Sequence, residues 1–135
     1  MRLLPSVLLL VAFSACGQSV QVQGHARVQV QAHARVQLLV QSSPLAGFRH
    51  ADAAQAMPLM QPGDALELVR EQDNPYDPNA VRVQWRGRKL GYVPRRQNAA
   101  LAWGLDRGTP LRARISRLED HPNPARRIEF EVYIE

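Results

Sequence analysis

From Val20 to Leu38 every even-numbered position is apolar or glycine and every odd one is Gln, His or Arg. That two-residue period is the pattern of a strand with one buried face. The stretch is a tandem octapeptide, VQVQGHAR at residues 20–27 followed by VQVQAHAR at 28–35, and Val36-Gln37 begins a third copy that diverges. Extended, it would set His25, His33, Arg27 and Arg35 on one polar face. Two histidines eight residues apart in a strand lie more than ~20 Å from each other at ~3.3 Å per residue, too far to share an ion. Residues 18–35 are therefore read as a linker lengthened by a short duplication.

Downstream the pattern predicts short strands separated by strong turn signals. Residues 36–41 form the first strand, and Ser42-Ser43-Pro44 and Gly47 break it. Residues 52–57 suit one or two helical turns, stopped by Pro58. After a turn at Pro62-Gly63-Asp64, residues 65–70 form a strand with Leu66 and Leu68 on one face. Residues 73–79, DNPYDPN, are dense in turn formers: two prolines fix φ, and several Asx side chains can bond their own backbone. Val81, Val83 and Trp85 alternate in the next strand, and Arg86-Gly87 turns it into residues 89–93 as a hairpin. Asn98 is placed to cap a helix running to Leu105, with Gly108 as its stop. Two alternating strands follow, Leu111, Ala113 and Ile115, then Ile128, Phe130, Val132 and Ile134, joined by a loop at residues 119–124.

About six short strands with one clear α-helix and a short helical segment make a mainly β domain. Helical crossovers are too few for a doubly wound parallel sheet. Periodicity by itself leaves a barrel or a sandwich open. A chain of 135 residues holds one hydrophobic core rather than two.

Charge changes the picture mainly through its distribution. The formal net charge is +5, yet residues 82–117 hold ten Lys or Arg against one acid, Asp106. Such a local excess attracts polyanions. Arg112 and Arg114 are expected to pair with Glu129 and Glu131 across a ladder. Trp85 and Trp103 read as core or rim residues. The single cysteine, Cys16, rules out an intramolecular disulfide and a cysteine-based zinc site.

Met1-Arg2 and the apolar run from Leu3 to Phe13 have the layout of a secretory signal, well short of the ~20 residues a spanning helix needs. The expected signal occupies residues 1–17. Ser14-Ala15-Cys16-Gly17 resembles a bacterial lipobox, with Cys16 as the lipidated residue, although Phe13 stands where Leu is usual. Ordinary cleavage before Gln18 is the alternative. Either way the expected address is outside the cytoplasm, periplasmic or lipid-anchored in the bacterial envelope.

The blocks GDALELVRE (63–71), DNPYD (73–77), NAVRV (79–83) and LGYVP (90–94), continued by Asn98, Leu101-Ala102 and Gly108, resemble the signature of the HIRAN domain. The resemblance covers residues 36–135 and implies a small β-barrel related to the OB fold. It also implies a non-enzymatic module. Helicase-borne members bind single-stranded DNA at its free 3′ end, whereas ATP hydrolysis and zinc binding belong to their other domains, so no cofactor or metal is expected. Carried over by motif, Asp77 accepts from the terminal 3′-hydroxyl, Tyr76 stacks on a base and Asn74 holds the terminal nucleotide. Arg49 stands where the family has a phosphate-binding Arg, His50 where it has a stacking Tyr, Tyr92 in place of a His, and Arg95 in place of a Lys near the DNA backbone. The residues themselves permit a plainer reading, in which NPYD is a structural turn with Tyr76 covering the core and Arg49 and Arg95 are solvated. Export also admits a different ligand class, an envelope protein or glycan bound by a barrel that no longer takes DNA. No serine lies in a recognisable motif with His and an acid, and no phosphate-cradling loop is present, so no catalytic constellation emerges.

Overall fold

The computed structural model describes residues 35–135. The expected signal, Cys16 and the octapeptides up to Ala34 lie outside the described residues.

Six strands follow the alternation: β1 (Leu38–Pro44), β2 (Ala65–Arg70), β3 (Val81–Trp85), β4 (Arg88–Tyr92), β5 (Leu111–Leu118) and β6 (Ile128–Ile134). They form one antiparallel sheet in the order β1-β6-β5-β2-β3-β4. The inward residues are those the period selects, with Val81, Val83 and Trp85 on β3 and Ile128, Phe130 and Val132 on β6 all buried. Two helices, α1 (Ala53–Ala56) and α2 (Ala99–Asp106), complete the domain. The first sets Ala53 and Ala56 into the core, the second Leu101 and Ala102.

The ladder does not close into a barrel. Its two edges, β1 and β4, meet at a single bridge just past the end of β1, where Ala46 and Tyr92 exchange N–H···O bonds of 2.9 Å in both directions. A mainly β, OB-like sheet is the outcome, open along most of its seam. The bridge requires Gly91, because a Cβ there would collide with the Ala46 carbonyl oxygen.

Several local expectations change. β1 runs through Ser42-Ser43-Pro44, since pairing with β6 continues to Pro44↔Glu129 and proline is tolerated on an edge strand. Ser43 is buried there, and its Oγ donates to Gln97 Oε1 at 2.7 Å. Pro58 does not stop the helical segment; it lies in the first turn of a 3-10 helix, Met57–Leu59, where its missing N–H leaves nothing unsatisfied. The β3–β4 turn has φ of 48° at Arg86 and 79° at Gly87, the two positive angles of a primed hairpin turn. Arg114 does pair with Glu131 at 3.0 Å, but Arg112 faces Glu135 at 3.9 Å and Arg117 takes Glu129 at 3.4 Å. The register explains it: Arg112 is opposite Tyr133, and a bulge between Ile115 and Arg117 brings Arg117 opposite Glu129. Trp85 is buried with its Nε1 donating to Asp64 Oδ2 at 3.1 Å, whereas Trp103 is exposed with the Arg107 guanidinium 4.3 Å from its ring centre.

Candidate nucleic-acid interface

The corner between β2 and β3 is built by its own side chains. Asn74 Oδ1 accepts from the Tyr76 N–H at 2.9 Å and the Asp77 N–H at 3.1 Å, while Asn74 Nδ2 donates to Glu71 Oε1 at 3.0 Å. Asp77 Oδ1 then accepts from the Asn79 N–H at 2.9 Å. With Pro75 and Pro78 fixing φ on either side, the corner has little freedom. Its outcome contradicts the plain turn reading at one residue: Tyr76 does not cover the core but stands 84% exposed. Asn74 is committed to holding the loop.

Asp77 is half-buried, and its second oxygen, Oδ2, accepts from Asn98 Nδ2 at 2.7 Å. Asn98, expected to cap α2, follows the 3-10 turn Arg95–Gln97 with a helical backbone, and its side chain makes no cap bond. That amide is spent on the corner instead.

Glu71 is the second anchor. Its Oε1 accepts from the Tyr92 hydroxyl at 3.0 Å as well as from Asn74, and its Oε2 lies 2.9 Å from Arg82. Burial pushes the Glu71 pKa up. The hydrogen bonds from Asn74 and Tyr92 and the charges of Arg82 and Lys89 together outweigh burial, leaving the carboxyl below its ordinary value. One ionised glutamate thus ties the corner to Tyr92, at the end of β4 and the sheet's closing bridge.

These anchors bring His50, Asn74, Tyr76, Asp77, Tyr92 and Arg95 onto one groove of about 700 Å³. Lys89, not singled out from the sequence, lines it too, with Nζ 4.6 Å from the Tyr92 ring centre. Strict alternation would place Lys89 and Tyr92 on opposite faces. A register shift opposite Val83 and Gln84 puts one extra residue into β4 and returns them to the same side. Among the described residues, neither Lys89 nor Arg95 belongs to an ion pair. The groove therefore pairs aromatic faces with cations outside any ion pair, around one carboxylate.

Arg49 is not in this groove. It lines a neighbouring one of about 360 Å³ with Phe48, Asn123 and Pro124, and His50 and Ala46 border both. The cause is local, because Phe48–His50 is a 3-10 turn in which successive side chains point ~120° apart. With Phe48 buried, Arg49 lines only the neighbouring groove while His50 reaches both. Lys89 and Arg95 are the cations that line the groove with Asp77.

An open, OB-like antiparallel sheet with a groove of aromatic rings and cations at one corner is the architecture of a small β binding domain. The HIRAN domain model matches residues 38–135, and the chain belongs to the HIRAN domain family. Solved structures agree with that placement. A crystal structure of a Lactobacillus plantarum protein is 28% identical with a TM-score of 0.64, covering 73% of this chain and 94% of that one. The crystal structure of the human HLTF HIRAN domain is 21% identical with a TM-score of 0.56, covering 72% and 77%. No curated protein matches the sequence.

Proposed function

We propose that the domain binds single-stranded DNA and holds a free 3′ end in the Tyr76–Asp77 groove, without catalysing a reaction. The observation that carries this reading is the exposed Tyr76 ring on a rigid corner, beside Asp77 and within one groove with Lys89, Tyr92, Arg95 and His50. An aromatic face left in water is a costly way to finish a turn and a direct way to stack a base, which contributes ~1–3 kcal/mol regardless of sequence. Lys89 and Arg95 attract the phosphodiester backbone, and Asp77 accepts from a hydroxyl but repels a phosphate. The family resemblance supports the same ligand, since helicase-borne members take DNA ends. With the expected export signal, the ligand would be DNA outside the cytoplasm.

Fluorescence anisotropy of labelled oligonucleotides with 3′-hydroxyl and 3′-phosphate ends tests the reading. Affinity for the hydroxyl end should be about tenfold or more higher. It should fall with salt by a log–log slope of roughly 0.7 per phosphate contacted, and lose about one such contact on Lys89→Ala. Equal affinity for both ends, carried unchanged into Asp77→Asn, refutes the end-binding role. Affinity indifferent to salt refutes DNA as the ligand.

A further inference from the structure

We propose that Asn98 is a positioning residue for the 3′-end site, aiming the Asp77 carboxylate and so setting the discrimination between hydroxyl and phosphate termini. This inference rests on the end-binding reading above. Asn98 is 2% exposed, and its Nδ2 reaches Asp77 Oδ2 at 2.7 Å across 21 residues of sequence. The chain enters α2 straight from the 3-10 turn Arg95–Gln97, and Asn98 is already helical with φ of −95° and ψ of −18°. Its side chain therefore has no capping task there, and its Nδ2 serves a distant loop instead. A buried amide whose donor reaches a groove carboxylate is the pattern of a binding group held in place by a supporting side chain.

The geometry gives that bond a purpose. The remaining side-chain bonds of the corner run within the loop, to Glu71, or from Arg70 Nη2 to the Pro78 carbonyl at 2.8 Å. They shape the loop's backbone. Asn98 fastens the carboxylate itself to the start of α2, which Leu101 and Ala102 root in the core. A carboxylate offers about four acceptor positions, and two are used, one by Asn79 N and one by Asn98 Nδ2. Fixing the plane of the group directs the other two. A ligand hydroxyl then meets an acceptor already oriented, and hydrogen bonds weaken steeply away from alignment. Without Asn98 the carboxylate swings about its own bonds; it still repels a terminal phosphate, but its bond to a hydroxyl loses definition.

The test compares wild type with Asn98→Ala and with Asn98→Leu, the latter filling the same space without a donor. We expect the preference for 3′-hydroxyl over 3′-phosphate oligonucleotides, about tenfold in wild type, to drop below about threefold in both variants. Affinity for the 3′-phosphate oligonucleotide should stay within about twofold, which separates loss of aim from loss of groove. Preference retained in a folded variant, or affinity for both ends lost in parallel, overturns the positioning role. Nuclear magnetic resonance of the wild-type domain tests it without a substitution: the Asn98 side-chain amide should shift with the 3′-hydroxyl oligonucleotide and respond less to the 3′-phosphate one. An amide indifferent to both overturns it equally. If wild type shows no end preference, the end-binding reading fails first. If Asp77→Asn abolishes a preference that the Asn98 variants keep, only this inference fails.

Discussion

Replacing Gly91 by alanine should separate the two edges of the sheet. A Cβ at residue 91 would sit inside contact distance of the Ala46 carbonyl oxygen, 3.2 Å from Leu45 Cγ and 3.3 Å from the Ala46 carbonyl carbon. The Ala46 oxygen is itself the acceptor for Tyr92 N–H at 2.9 Å, so it cannot move aside without breaking the bridge. Two bridge hydrogen bonds at ~1 kcal/mol each, plus the lower end of the ~1–3 kcal/mol cost of overpacking, give a loss of about 3 kcal/mol. At ~4 °C per kcal/mol for a domain of this size, Tm should fall by about 12 °C, read by thermal unfolding with circular dichroism. Gly104→Ala is the control. Its Cβ would meet only side chains, with Leu111 Cδ1 nearest at 3.3 Å, in a helix where alanine is favoured over glycine by up to ~1 kcal/mol. A Gly91→Ala Tm within about 3 °C of wild type would show that the bridge contributes little and that the seam relaxes freely.

Two further substitutions separate stability from binding. Tyr76→Ala should leave Tm almost unchanged, because the ring is 84% exposed, while weakening oligonucleotide binding by about 5- to 150-fold for one lost stack; unchanged affinity removes Tyr76 from the site. For Glu71, whose folded pKa is depressed, the stabilising contribution is complete above the unfolded value near 4.3 and is lost as pH falls through the lower folded value. Urea midpoints at about pH 7 and about pH 3.5 should therefore differ less in Glu71→Gln than in wild type, and an equal acid loss in both refutes the anchoring role.

Most of the strands and the make-up of the groove are legible in the chain. Val81, Val83 and Trp85, or Ile128, Phe130 and Val132, announce their buried face by alternation, and Asn74 and Asp77 announce a corner by side chains that bond backbone two or three residues away. Expectations failed where a neighbour distant in sequence decided the outcome. Ser43 and Pro44 read as breakers until β6 pairs with them, and Arg112 reads as paired with the glutamates of β6 until the register sets it opposite Tyr133. Motif position alone did not show that the 3-10 turn at Phe48–His50 sets Arg49 in the groove beside the one that Asp77 lines.

By itself the sequence determined the strand faces, the rigid DNPYD corner, the basic stretch and the family, because all of these depend on short periods and local bonds. Only the tertiary structure decided that the sheet stays open but for one bridge, that Lys89 rather than Arg49 shares the groove with Asp77, and that Asn98 serves a carboxylate 21 residues away instead of its own helix. Each of those outcomes is a choice among partners for a polar or charged group, and which partner is near enough is set only when distant segments pack together.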